Sequence, residues 1–196
     1  MIIGLTGSSG AGKSAAAAFF EKNGFFVIDY DKLAREIYQK GEPCLTQLTQ
    51  HFGNDIIDEL GNVMRKKLGD IVFADNDKLK LLNSIAMKHI LQKSKIIIEQ
   101  NKHKNIVLDA PLLFEAELNL MCDKTIAIIA DEDIQLKRII KRDGISRETA
   151  KGRLKSQHSN EFFAANCDYC ISNNSTTTEL ESALENLLEI LYGNCQ

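Results

Sequence analysis

The sequence has no run of eighteen apolar residues, so no membrane-crossing helix is expected. No basic segment precedes an apolar stretch at its start, so a cytoplasmic location without a leader peptide is expected. A general basic excess is also missing: the formal net charge is -3 and the pI is near 5.8, which argues against a nucleic-acid or membrane-surface binder. There is no internal repeat, no low-complexity tract and no Pro- or Gly-rich linker, so solenoid, collagen-like and loosely tethered architectures drop out. The cysteines Cys44, Cys122, Cys167, Cys170 and Cys195 are odd in number and scattered, which fits reduced thiols rather than a disulfide framework. Cys167-Asp168-Tyr169-Cys170 lacks the second pair a zinc site needs and the strand-to-helix setting of a redox pair. It reads as packing around a strand. The four histidines, His51, His89, His103 and His158, show no metal-ligand spacing.

What is present is an ordinary globular composition, 44% hydrophobic and 26% charged over 196 residues, enough for one substantial core with small insertions. Short, non-alternating apolar runs recur at 2–6, 25–28, 106–108, 125–129 and 169–171. Strands of that kind are buried on both faces, which predicts a five-stranded parallel sheet covered by helices. Leu180, Leu184, Leu187, Leu188 and Leu191 predict an amphipathic closing helix. Pro43 suits a helix N-terminus, and Asp131 suits the cap of the helix carrying Leu136, Ile139 and Ile140. The second and third runs are separated by far more chain than a crossover needs, which predicts a helical insertion over 31–103. A second helical stretch, 133–165, carries eight basic residues against two acids between Lys137 and Lys155. The expected core is then 1–30, 104–132 and 166–196.

Gly7-Ser8-Ser9-Gly10-Ala11-Gly12-Lys13-Ser14 matches G-x-x-x-x-G-K-[ST] between a predicted strand and a helix over 13–22. Glycines let such a loop curl until its N–H groups point inward, and the helix adds its positive end, giving an anion cradle. Gly7, Gly10, Ala11, Gly12, Lys13, Ser14 and Ala15 are the expected ATP-binding residues, with Lys13 on the β- and γ-phosphates and the Ser14 hydroxyl on Mg²⁺. Gly10-x-Gly12-x-x-Ala15 also fits a dinucleotide loop with Asp29 about 20 residues on, but that pattern leaves the Lys-Ser pair unexplained. A GTPase would need [NT]-K-x-D, and Asn101-Lys102-His103-Lys104 lacks the acid. Asp58-Glu59-Leu60-Gly61 spells D-x-x-G without a preceding apolar strand, so it reads as a surface turn.

In open α/β sheets ligands bind beyond the C-terminal strand ends. Asp31 could accept the proton of an attacking hydroxyl or cap a helix over 31–39; Arg35, one turn on, favours a site. Asp109 could serve the Mg²⁺ shell or a substrate hydroxyl, or could be a strand-end turn acid. Leu112-Leu113-Phe114 could line the core or an acceptor pocket. Arg138 and Arg142, spaced i,i+4, could close over transferring phosphates as a lid, or form a solvated basic face.

Taken together, these residues resemble dephospho-CoA kinase over nearly the whole chain. The resemblance rests on Ile3-Gly4-Leu5-Thr6-Gly7 leading into the loop, Val27-Ile28-Asp29-Tyr30-Asp31 with Arg35, Gly61 with Arg65, and Asp109-Ala110-Pro111-Leu112-Leu113-Phe114-Glu115. It continues in Arg138, Arg142-Asp143-Gly144, Arg153 with Gln157, and Asp168-Tyr169-x-Ile171-x-Asn173. Ser8-Ser9 and Ala15 stand where the family often has Gly-Ile and Thr, Met64 where aspartate is usual, and Met87-Lys88 where His-Pro is typical. The resemblance implies a P-loop NTPase-type three-layer α/β fold with a helical acceptor-binding insertion and a helical lid. It implies phosphoryl transfer from MgATP to the ribose 3′-hydroxyl of dephospho-CoA, the last step of coenzyme A synthesis. Asp31 would be the general base, Arg35 and Arg65 would hold the acceptor beside Asp109 and Leu113, and Arg138 and Arg142 would contact phosphates. The partners expected are ATP and dephospho-CoA, with no nucleic acid or membrane, and a monomeric chain. A kinase of another nucleoside-like acceptor and a non-catalytic nucleotide switch are the rival functions.

Overall fold

The computed structural model describes residues 1–193 and divides into two compact units, 1–28 with 103 onward, and 29–102. Cys195 lies outside the described residues. In the first unit β1 (Ile2–Thr6) is the middle strand of a five-stranded sheet. Around it stand β2 (Phe26–Asp29), β3 (Ile106–Asp109), β4 (Lys124–Ile129) and β5 (Tyr169–Ser172), in the order β2-β3-β1-β4-β5. β1 pairs in parallel with both neighbours, Ile3 opposite Val107 and Leu5 opposite Ile126. Alternate residues of a strand face opposite ways. Ile3 and Leu5 therefore join Phe19, Phe20, Leu180, Leu184 and Leu187 in one cluster, while Gly4 looks the other way, with Leu113 and Cys122 so close that a Cβ would lie 2.9 Å and 2.8 Å from their side chains. Burial on both faces is the reason β1, β3 and β4 read as continuous apolar runs, while the edge strands β2 and β5 are only partly buried.

The helices covering the first cluster are α1 (Lys13–Lys22) and the closing helix Thr177–Gly193, whose Leu180, Leu184, Leu187 and Leu191 are buried as their spacing predicts, with Leu188 half-buried beside them. In the second unit, α2 (Tyr30–Glu36), α3 (Pro43–Phe52), α4 (Arg65–Phe73) and α5 (Asn76–Gln100) follow one another. They enclose a separate core of Ile37, Cys44, Leu48, Ile56, Leu68, Val72 and Ile85. Pro43 opens α3, where its missing N–H has no intrahelical partner to lose. Tyr30 and Ser94 share a buried hydroxyl–hydroxyl hydrogen bond that joins α2 to α5. Burial raises the pKa of the Cys44 thiol to about 11, with Glu42 adding to the effect. Asp58 accepts from the Leu60 and Asn62 amides at 3.0 Å and 2.8 Å, and these bonds lower its pKa; the D-x-x-G is a turn closed by Asp58.

The first unit resumes with α6 (Glu132–Asp143), α7 (Arg147–Lys155) and α8 (Asn160–Asn166); the closing helix is α9. The structure overturns the cap expected of Asp131 and closes the capping alternative for Asp31. Asp131 stands at the N-cap position of α6 but its side chain makes no cap bond; its backbone N–H donates to Asn174 Oδ1 at 2.8 Å instead. The cap of α2 is Asp29, which accepts from the Lys32 amide at 2.9 Å, so Asp31 lies inside the first turn with its exposed carboxylate outside any capping role. Among the described residues no helix is long and apolar enough to cross a membrane.

Phe20 is fully buried and packs edge-on to Phe19 at 5.8 Å and Phe25 at 5.1 Å. Phe20→Ala is expected to lower unfolding free energy by about 3–5 kcal/mol, the cost of a large core deletion, measured by urea titration at constant m.

Candidate active site

The loop between β1 and α1 curls where an L side chain could not follow. Gly12 takes φ 106° and ψ 18°, and a Cβ there would be driven into the Asn173 carboxamide. Gly10 takes φ 77°, and a Cβ would come within 2.7 Å of the Gln135 carbonyl oxygen on α6. Neither of these two amides meets an acceptor among the described residues. Both are therefore available to an anion, as the cradle reading requires. Ser14, in the first turn of α1, is exposed, and Ala15 follows it on the surface.

Turning amides inward turns carbonyls outward, and each carbonyl needs a donor. Arg138 and Asn173 supply them. The Arg138 guanidinium donates to the Gly10, Ala11 and Asn173 carbonyls at 3.2, 3.4 and 2.9 Å, and to the Ser175 carbonyl at 3.5 Å. The Asn173 side-chain amide, buried, donates to the Ala11 carbonyl at 2.7 Å, while its own N–H donates to Ile129. Gln135, also on α6, donates from Nε2 to Ser8 Oγ at 2.5 Å. The first helix of the predicted lid is thus a buttress of the loop through Gln135, Arg138 and Ile139, and Arg138 acts on loop carbonyls. Spacing alone did not reveal the roles of Asn173 and Gln135. Each reaches the loop across more than a hundred residues, and a single polar residue carries no periodic signal.

Lys13 forms a hydrogen-bonded ion pair with Asp109 at the end of β3, and the two side chains are only 14% and 10% exposed. The structure therefore gives Asp109 a charge partner in the loop rather than a turn role. Leu113 is completely buried beside Gly4, so of its two readings it occupies the core; Leu112 beside it is exposed. Arg142 donates from Nε to Asp143 Oδ1 at 2.7 Å, and Arg153 also donates to that carboxylate. The Arg142 bond first, then Arg153, hold the Asp143 carboxyl down at about 2. In the second unit, Asp31 and Arg35 lie exposed on α2, and no ion pair joins them among the described residues. Arg65 opens α4, where Arg65-Lys66-Lys67 put three cations at the positive end of a helix dipole without a first-turn acid. That arrangement opposes helix stability and favours an anion nearby. Cys167 and Cys170 are unpaired thiols; burial raises both pKa values, that of Cys167 to about 12, so they are protonated and poorly nucleophilic near neutrality.

A glycine-curled loop between the middle strand of a parallel sheet and a helix, with Lys13, Ser14 and a strand-end acid around it, defines a P-loop fold of the kinase type. The profile of the dephospho-CoA kinase family matches residues 1–179. The dephospho-CoA kinase of Fusobacterium nucleatum is 41% identical over 191 residues, covering 97% of this chain and 98% of that one. The solved dephospho-CoA kinase from Campylobacter jejuni superposes with a TM-score of 0.71 at 29% identity, covering 98% of each chain. A shikimate kinase from Acinetobacter baumannii, 13% identical with a TM-score of 0.55 over 99% of this chain and 94% of that one, shares the fold. The chain belongs to the dephospho-CoA kinase family.

Asn173→Leu keeps the branched heavy-atom outline but leaves the Ala11 carbonyl to Arg138 alone. An under-satisfied buried acceptor costs roughly 1–3 kcal/mol, and MgATP affinity measured by calorimetry is expected to fall about tenfold; unchanged affinity rules out Asn173 as a support of the loop. The depressed Asp143 pKa gives stability that is complete above the ordinary aspartate value of about 4 and is lost as pH falls toward its folded value. Carbon-13 titration of the carboxyl should show a midpoint near 2, rising toward the ordinary value in Arg142→Ala.

Proposed function

We propose that this chain is a dephospho-CoA kinase, moving the γ-phosphoryl group of ATP to the ribose 3′-hydroxyl of dephospho-CoA. The observation that carries the reading is the Lys13–Asp109 pair at the curled loop, in a chain that belongs to this family. Phosphoryl transfer passes through a loose transition state with charge spread over the equatorial oxygens, so the protein's work is positioning and charge stabilisation. The loop amides and Lys13 would hold the β- and γ-phosphates, with Gly7, Gly10, Ala11, Gly12, Ser14 and Ala15 forming the ATP cradle. Arg138 keeps the cradle curled, and Arg142 would neutralise phosphate charge.

The Ser14 hydroxyl and the Asp109 carboxylate are hard oxygen donors suited to Mg²⁺. When bound, the ion would offset charge on the polyphosphate. Asp31 would accept the proton of the attacking hydroxyl; the cap of its helix belongs to Asp29, which leaves its carboxylate available. Arg35 and Arg65 would take the anionic part of the acceptor, making 31–103 the acceptor-binding subdomain and 133–165 the lid. A monomeric cytoplasmic enzyme completes the reading.

Purified protein with MgATP and dephospho-CoA is expected to yield coenzyme A, quantified by chromatography. Phosphorylation of a nucleoside monophosphate with no coenzyme A would assign a different acceptor, and slow ATP hydrolysis indifferent to any acceptor would indicate a switch. Lys13→Ala is expected to lower kcat/KM for ATP by about 10²–10³-fold, the scale of a lost charge-stabilising donor. Asp31→Asn should lower kcat by about 10²–10⁴-fold with ATP affinity kept, the range for a general base.

A further inference from the structure

Ser9, at the tip of the phosphate loop, is gripped twice by one side chain. Its N–H donates to Gln157 Oε1 at 2.9 Å, and Gln157 Nε2 donates to Ser9 Oγ at 3.3 Å. Gln157 stands just beyond the C-terminal end of α7, its own N–H on the Leu154 carbonyl at 3.0 Å. α7 also carries Arg153, which shares the Asp143 carboxylate with Arg142. The two helices behind these arginines are joined by a small core of Leu136, Ile139 and Ala150 with Ile140, Ile145 and Leu154, and by Arg147 on Asp133 at 2.8 Å. A helix pinned to its neighbour along its length and to the loop tip at its end is a strut. Ser8 and Ser9 are the loop residues whose hydroxyls meet glutamines, Gln135 and Gln157 respectively. Beside them is a cavity of about 470 Å³, walled by Ser8, Gln135, Lys151, Lys155 and Gln157 among others.

We propose that Gln157 is a positioning residue for phosphoryl transfer, acting through Ser9 and α7 to hold Arg142 and Arg153 in fixed register with the phosphate loop. This rests on the reading of Arg142 as a phosphate contact. Magnitudes separate the role from mere surface structure. An exposed side-chain hydrogen bond adds little to global stability, so its loss moves the melting temperature of a chain this size by only about 2–4 °C. A charge misplaced by about 1 Å at a transition state can cost on the order of 100-fold in rate.

The test compares Gln157→Ala, Arg153→Ala and the double variant with the unaltered protein in coenzyme A formation. Expected are a kcat lower by about 10–100-fold for each single variant, KM for ATP within about threefold, and a double variant no slower than the worse single one, because both residues act through one strut. Gln157→Glu, which keeps the acceptor for the Ser9 N–H but loses the donor to Ser9 Oγ, should recover part of the rate. Unchanged kcat in Gln157→Ala, or losses that multiply in the double variant, overturns the proposal. Should the unaltered protein form no coenzyme A, the acceptor assignment fails by itself. The strut is then judged by hydrogen exchange of 147–155 with MgADP: faster exchange in Gln157→Ala supports it, and equal exchange overturns it.

Discussion

A peptide loop can present its N–H groups to an anion only by exposing its carbonyls on the opposite side, and that requirement organises this chain around residues 7–14. The Gly10 and Ala11 carbonyls draw in Arg138, and the Ala11 carbonyl also draws in Asn173 from the end of β5. The Asn173 carboxamide in turn takes the space in which a side chain at position 12 would lie, and the close approach of α6 does the same at position 10. The glycines are therefore required twice, for their left-handed backbone and for what fills the volume they leave free. Asn173 follows the end of β5 and Arg138 stands on the helix that follows β4, so both supports come from the side of the sheet where an open parallel sheet gathers its loops.

The two charge clusters near the loop differ in physical character. Lys13 and Asp109 are largely buried, so each stabilises the charge of the other. Arg142, Asp143 and Arg153 lie nearer solvent, where ion pairs contribute little to stability. Their geometry matters more than their energy, since one carboxylate fixes the placement of two guanidinium groups. A buried pair suits the floor of a nucleotide site, and an exposed cluster suits a part that must meet charge arriving from outside.

Several features could be read without coordinates because their signals are local. The loop motif, the apolar runs of the sheet and the leucine stripe of α9 each depend on near neighbours in sequence. Aspartates were harder to read. Asp29, Asp31 and Asp131 all stand near helix starts; Asp29 and Asp131 share an extended N-cap backbone, and only the Asp29 side chain accepts a helix amide, while the Asp131 side chain caps nothing. Leu113 was equally ambiguous, because a leucine after a strand reads the same whether it faces a ligand or Gly4.

The amino-acid sequence by itself determined the parallel sheet, the anion cradle and the family, because periodicity and a contiguous motif are properties of adjacent residues. Only the tertiary structure decided that Arg138 and Asn173 hold loop carbonyls, that Lys13 pairs with Asp109 and that Gln157 grips Ser9. Those contacts close loops of about a hundred residues or more, and which donor reaches which acceptor across such a span depends on how the layers pack, for which a one-dimensional pattern has no term.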